Sequence, residues 1–532
     1  MIRINISLIL CASLAILRDA VAVSTAQSSA ASALSSLGVS LPKGEVLVGD
    51  VRYTCNLLDT VFSKNETFTV SSSYYDPLID EAWSQNCRLN ASCVITPTSA
   101  QEVSTLLQIL EILDTKFSIR SGGHNINPGF SSIGRQGVLV ALEKLDTLSL
   151  SADLGTVTIG PGNQWGTVYE YLQGYNLSTL GGLEVVVGVG GYILGGGLST
   201  FYNTYGLAID SVIRFQVVLP SGSIVNATQT ENADLFKGLK GGLNNFGEND
   251  FIYASFPQLI VPGIVTEYDL ATNTGVNIFY EINTYTLANT PAVLAAYATY
   301  LQDADINSNV EIQINPTYTM VFYGYVGHVS TPATFDVFSD IPVASVLYPP
   351  TNGSLPELLL TIGASGLSSD GISYGGTFTF EVTGAALLQV TYEVYLEAVA
   401  SLPSEAELSY VPQGVIPNLV TKGKAQNGGN LLGLTATPQV WMDVFVQFPA
   451  TLNQSAVTGV VDSVLANLTS SAKSQGVFLP YIFVNDASPT QKPLQSFGTE
   501  NLKYIDVVAK KYDPNGVMQK LQNRAYFVSE EL

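Results

Sequence analysis

The chain has 532 residues, 46% of them apolar and only 12% charged, which supplies enough apolar material for more than one core and argues against disorder. Its 44 acidic against 22 basic residues leave a formal charge of −22. With no cluster of Lys or Arg, that balance excludes nucleic acid and anionic membrane surfaces as partners.

At the N-terminus, Arg3, an apolar run over 4–17 and Ala20-Val21-Ala22 read as a secretory signal covering 1–22. The run is shorter than the ~20 residues that span a bilayer. Seven Asn-x-Ser/Thr sequons follow, at Asn65, Asn90, Asn176, Asn226, Asn352, Asn453 and Asn467, as expected of a secreted glycoprotein. Loss of the signal removes Cys11 and leaves Cys55, Cys87 and Cys93. In an oxidising compartment two of these pair, and the spacing does not say which.

Residues 23 to about 50, rich in Ala and Ser, read as a loosely held lead-in. Residues 93–96 read as a short strand, and Pro97-Thr98-Ser99 opens a helix: Ser99 and Glu102 fit a capping box, and Val103, Leu106, Leu107, Leu110 and Leu113 share one face. A strand at 117–120 then delivers the chain into Ser121-Gly-Gly-His-Asn125. His124, one of two histidines in the chain, therefore sits on a loop at a strand end, where binding residues gather. Strands at 138–142 and 156–159 follow, then a helix at 164–172 and two strands within 211–227 joined by Pro220-Ser221-Gly222. From 274 to 478, Tyr/Thr/Val-rich runs such as 316–326 and 375–382 alternate with helical segments such as 385–402, which predicts an antiparallel sheet with helices on one face. A helix at 502–510 and the phrase Tyr512-Asp513-Pro514 close the chain, and the fold class expected is α+β.

Between 185 and 209 there is no charge, and Gly188-Val-Gly-Gly-Tyr-Ile-Leu-Gly-Gly-Gly197 is too glycine-dense for a good helix, each Gly costing about 1 kcal/mol against Ala. A buried loop system is the expectation, with glycines that let backbone N–H groups approach a pyrophosphate. The dinucleotide fingerprint Gly-x-Gly-x-x-Gly fails at Gly188, where Ile193 takes the third place, and at Gly160, where Trp165 does. A Rossmann NAD site is disfavoured, and nothing calls for a metal.

Arg120-Ser-Gly-Gly-His-Asn125, Gly160-Pro-Gly-Asn-Gln-Trp-Gly166, Gly188 to Gly197, Tyr205-Gly-Leu-Ala-Ile-Asp210, Leu239-Lys-Gly-Gly-Leu-Asn-Asn-Phe-Gly247 and Tyr512-Asp-Pro514, in that order, resemble the FAD-linked oxidases of the vanillyl-alcohol oxidase superfamily. The chain is most similar to the berberine-bridge-enzyme-like branch, in particular its secreted fungal members, from about Cys55 to the C-terminus.

That resemblance implies a two-part, PCMH-type FAD-binding domain formed by both chain ends, 23–273 (core about 89–273) and 479–532, around a substrate domain at 274–478. It implies a covalent bond from His124 to the 8α-methyl of FAD. Arg120, Ser121, Gly122, Gly123 and Asn125, with Gly188, Val189, Gly190, Gly191, Gly195 and Val265, are expected to hold the cofactor. Such a link raises the flavin potential and keeps the cofactor from diffusing away. Glu184 stands where some relatives place a second, cysteinyl link, so a single histidyl link is expected. Family practice also suggests Cys55–Cys93 as the disulfide, leaving Cys87 free.

For the base that takes a hydroxyl proton, the candidates are Tyr481 and Asp486, with Tyr192, Tyr323 and Glu381 as pocket residues. His328 lacks such context and is expected to be structural or pocket-lining. The implied activity is a secreted oxidase that moves a hydride from a small organic substrate to FAD and then to dioxygen, giving hydrogen peroxide. The alternatives are a carbohydrate or oligosaccharide oxidase and, from another class, an inactive flavin-free homologue acting as a binding protein.

One departure stands out: Glu248 to Gly263 interrupts the passage from Asn-Phe-Gly247 to Ile264-Val265-Thr266. These sixteen residues read as a retained in-frame intron, with a genuine surface loop as the alternative, and a mature transcript encoding them all would overturn the intron.

Overall fold

The computed structural model describes residues 24–63, 65–242, 263–273, 277–363, 371–524 and 526. The expected signal and nearly all of the 248–263 segment lie outside the described residues. No described helix is long and apolar enough to cross a membrane.

Three sheets organise the chain. The first contains β1 (Thr67–Thr69), β2 (Cys93–Ile95), β3 (Lys116–Arg120) and β4 (Gly137–Ala141) in the order β1-β2-β4-β3, with β2 and β3 parallel to β4. The crossover between β2 and β3 is the helix Ala100–Ile112. Its Val103, Leu106, Leu107 and Leu110 are wholly buried, as is Leu113 just beyond its end. Ser99 caps its start by accepting from the Glu102 N–H. The Glu102 carboxylate turns to the N–H and hydroxyl of Thr98 instead of Ser99, so the cap is displaced by one residue from the box expected.

The second sheet is antiparallel throughout: β5 (Leu148–Leu150), β6 (Thr156–Ile159), β7 (Val212–Val218), β8 (Ile224–Thr228) and β9 (Ile264–Ala271), in the order β5-β6-β9-β7-β8. Gly222, at φ +82°, closes the β7–β8 hairpin in a conformation that favours glycine. The C-terminal helices return to this lobe. Thr499–Tyr512 packs on Ala233–Gly242, and Val517–Leu521 packs on Ala100–Ile112 and β3. A disulfide ties Cys55, in the helix Val51–Val61, to Cys93 in β2. Cys87 is a buried free thiol whose pKa burial pushes up to about 12.

The third sheet has eight antiparallel strands, β10 (Asn277–Tyr285), β11 (Ser308–Ile314), β12 (Thr319–Val326), β13 (Ser345–Ser354), β14 (Ile372–Glu381), β15 (Glu407–Val415), β16 (Gln439–Phe448) and β17 (Phe478–Leu479), in the order β13-β10-β12-β11-β15-β16-β14-β17. The period of two along each strand sorts its residues onto two faces. Val310, Ile312, Tyr410, Met442 and Val444 join a core with residues of the helices Ala386–Ser401 and Gln454–Ser474. On the other face, Trp441 belongs to the core of the first two sheets. The architecture is thus α+β, with one face of a helix-backed sheet turned toward the first lobe.

Candidate active site

Three segments meet at that face. The loop after β3 brings Gly122 against Gly188: a Cβ on Gly122 would lie 2.4 Å from the Gly188 Cα, and one on Gly188 would lie 2.4 Å from the Gly122 nitrogen. Only two glycines permit this backbone contact. Asn127, just beyond the loop, donates to the carbonyl of Ala487 at 3.0 Å. Asn485 in turn donates to the carbonyl of Tyr192 at 3.3 Å, and a Cβ on Gly195 would strike the Asn485 amide. The histidine loop, the glycine-rich segment and the return at 481–488 therefore form one constellation.

Contrary to the expected loop, the glycine-rich segment forms a short helix, Val189–Leu194, with Gly188 at its N-cap. Burial of Val189, Ile193 and Leu194 outweighs the poor helix propensity of its glycines. A Cβ on Gly191 would meet nothing within 4 Å, so this backbone has an open side.

His124 stacks on Trp83, ring centroids 4.3 Å apart and 27° between planes. Burial lowers its pKa to about 4, so near pH 7 the imidazole is neutral and keeps a free lone pair. Gly123 has φ +73°, and a Cβ there would lie 2.9 Å from the Glu81 carbonyl. Ser121 donates to the Pro161 carbonyl, and the Asn125 side chain accepts from the Asn127 N–H at 2.8 Å.

Two residues expected beside the cofactor are otherwise engaged. The Arg120 guanidinium, 2% exposed, is bound by Glu81 at 2.8 Å and by the Leu78 carbonyl, so its side chain pins the loop from behind. Val265 is a buried core residue of β9, paired with Val217.

On the inward face of the third sheet, Glu311 of β11, Val411 and Gln413 of β15, and Asp443 and Phe445 of β16 are partly exposed while their immediate sequence neighbours are buried. This accessible row is the wall of a cleft. Gln413 donates to Asp486 at 2.6 Å, and burial raises the Asp486 pKa to about 6 against the lowering effect of that bond. Asp443 is raised well above the usual carboxylate range, by burial first and then by Asp486. Burial also lifts Glu311 to about 7, although Asn309 donates to it at 2.8 Å.

Tyr481 is buried against Trp441 and Phe497, and burial holds its phenol well above its ordinary pKa. Its hydroxyl and those of Tyr192, Thr377 and Thr379 have no hydrogen-bond partner among the described residues. Tyr323 lies on the helix side of its sheet, bonded to the Tyr285 hydroxyl at 2.8 Å and packed on Phe335 and Phe338, so it does not line the cleft. Glu381 ends β14, and Glu184 is a partly buried carboxyl raised by burial. His328 is exposed, its Nε2 3.1 Å from the Gly353 carbonyl.

Sequence reasoning missed Glu311, Gln413 and Asp443. Their one signal is a polar side chain inside an otherwise apolar strand run, as in Gln439–Phe448.

Residues 91–228 match the family model described as an FAD binding domain. FAD-dependent monooxygenase macF of Penicillium terrestre is 74% identical over 505 residues, covering 94% of each chain. The chain belongs to the family of FAD-linked oxidoreductases that includes this relative. A second member, FAD-dependent monooxygenase yanF of Aspergillus niger, is 63% identical over 515 residues, covering 97% of this chain and 83% of its own. Among solved structures, Physcomitrella patens BBE-like 1 superposes with a TM-score of 0.71 at 17% identity, over 86% of this chain and 97% of its own. A chitooligosaccharide oxidase gives 0.71 at 19%, over 89% and 100%. This FAD-linked oxidoreductase therefore takes FAD as its cofactor. Its residues fit that group: the open side of Gly191 offers bare backbone, the unpartnered hydroxyls of Thr377 and Thr379 stand opposite Asp443 and Trp441 on the sheet, and the neutral His124 lies in the loop that abuts Gly188.

Proposed function

We propose that this FAD-linked oxidoreductase is a secreted oxidase of a small hydroxylated organic substrate, with FAD held by a single covalent bond from His124. The observation that carries the reading is the neutral imidazole of His124, stacked on Trp83 in the same loop that abuts both the glycine-rich helix and the 481–488 return. Glu184 has no thiol with which to form a second link. Bound FAD supplies the hydride acceptor, and dioxygen then takes two electrons and two protons to leave as hydrogen peroxide.

The residues of the chain do the rest. As the substrate C–H leaves as hydride, Asp486 accepts the O–H proton and a C=O forms. Gln413 orients Asp486 by donating to one of its oxygens. Trp441 and Phe483, packed at 5.0 Å, shield the floor of the cleft from water. Tyr481 is a poor base here because its buried phenol does not give up its proton near neutral pH. Secretion is supported by six exposed sequons, at Asn65, Asn90, Asn176, Asn352, Asn453 and Asn467.

The names of the two similar fungal relatives favour a second reading, in which one oxygen atom enters the product. Turnover of a panel of phenols, benzylic alcohols and oligosaccharides under labelled dioxygen separates the two. The oxidase reading expects one peroxide per substrate and no label in the product. Labelled product without peroxide would overturn it, and turnover confined to oligosaccharides would move the substrate class to carbohydrates.

A further inference from the structure

On β16, Asp443 stands opposite Val411 of β15 and Thr377 of β14. Gln413 is two residues along β15 on the same face, the diagonal neighbour of Asp443, and its amide holds Asp486 at 2.6 Å. Diagonal pairs of this kind stand about 7–8 Å apart, within reach of long side chains. The two aspartates thus share one patch of the cleft wall.

Among the described residues no cation is paired with them. β11, β12, β14, β15 and β16 carry no Lys, Arg or His. The other titratable groups that face the patch are Glu311 from β11, Glu381 at the end of β14, Tyr192 from the glycine-rich helix and Tyr481 from the return, all acids or neutral phenols. His124, on the histidine loop and stacked on Trp83, is neutral through burial and supplies no charge. Lys240 and Arg120 are bound elsewhere, to the Asn427 carbonyl and to Glu81. Two desolvated carboxylates without a counter-cation do not both ionise, and a proton is the neutraliser available.

We infer that Asp443 and Asp486 hold a single proton between them, which makes Asp443 the positioning residue that sets when Asp486 can accept a proton from substrate. The Gln413 N–H donates to Asp486, so the ionised member is Asp486 and the proton resides on Asp443. The arrangement rests on the proposed role of Asp486 as base and adds to it a built-in partner. As substrate gives up its O–H proton to Asp486 the pair becomes doubly protonated, and return of one proton to solvent restores it.

The substrate is unidentified, so the test reads the carboxyls themselves. Infrared titration of the protonated-carboxyl C=O stretch is recorded on full-length holoprotein, and wild type minus Asp443→Asn spectra remove the contribution of Glu311. The expected result is a protonated band that persists above neutral pH in wild type and vanishes in Asp443→Asn, with the Asp486 titration moving down by about one to two pH units. Asp486→Asn is the mirror test and should lower the titration of Asp443. An Asp486 titration unchanged in Asp443→Asn, or an Asp443 titration unchanged in Asp486→Asn, overturns the shared proton. The flavin spectrum of the same samples is independent: colourless protein would end the oxidase reading and leave the titration result standing.

Discussion

At Gly188 a single methyl group would collide with the backbone of Gly122 at 2.4–2.5 Å, and no rotamer change can relieve a backbone contact. Gly188→Ala should therefore destabilise the protein by about 1–3 kcal/mol and reduce bound flavin, read by the urea midpoint and by visible absorbance. Asp486→Asn keeps the shape and removes the proton acceptor, and should lower kcat about 10²–10⁴-fold with little loss of stability. Tyr481→Phe should instead retain activity and at least the wild-type melting temperature, because the hydroxyl removed is buried and has no partner among the described residues. If Tyr481→Phe proves inactive while Asp486→Asn is not, the proton acceptor has been assigned to the wrong residue. At this scale the sequence shows a motif but not its contacts. Ser99 and the Leu106, Leu107 and Leu110 face are legible because they are local and periodic. Arg120 is expected beside the cofactor, and only folding brings its guanidinium to Glu81, 39 residues away. Asp443 and Glu311 are ordinary acids until the sheet turns them onto a wall without a cation.

Element by element, the stabilising devices are cross-links between segments distant in sequence. The Cys55–Cys93 bond closes a separation of 38 residues and fastens the helix Val51–Val61 to β2. Replacing both cysteines by Ala should cost about 2–4 kcal/mol in denaturant unfolding, and an unchanged midpoint would show the N-terminal helix to be held by packing alone. In the second sheet, Arg214 binds Glu267, Asp269 and the side-chain oxygen of Asn226, the last at 3.1 Å. That contact leaves Asn226 partly buried, unlike the other six sequons. Glycopeptide mass spectrometry of secreted material should find sugar on exposed sequons and none at Asn226. The strands and long helices follow from alternation and amphipathic spacing, so their existence is legible in the sequence. The helix Val189–Leu194 is not, because packing of its apolar residues overrides the glycine content on which a local reading depends.

Over the whole molecule, a formal charge of −22 accompanies cleft carboxyls whose folded pKa values lie above the ~4 of an unfolded chain, about 6 for Asp486 and about 7 for Glu311. Groups raised in this direction bind more protons folded than unfolded, so their stabilising effect is complete below about pH 4 and is lost as pH rises through 6 to 7. The melting temperature should therefore be higher near pH 5 than near pH 8, and a rise with pH across that window would contradict the cleft electrostatics. The α+β architecture and the division into a cofactor lobe and a helix-backed sheet are the most legible level, since they depend on pattern summed over many residues.

The central claim concerns His124. Denaturing the purified protein, digesting it and following yellow, fluorescent flavin by mass spectrometry tests it most directly. The account predicts one flavin per chain, on the peptide that contains His124, and none in His124→Ala. Flavin released entirely on denaturation, or attached to any other residue, would contradict it.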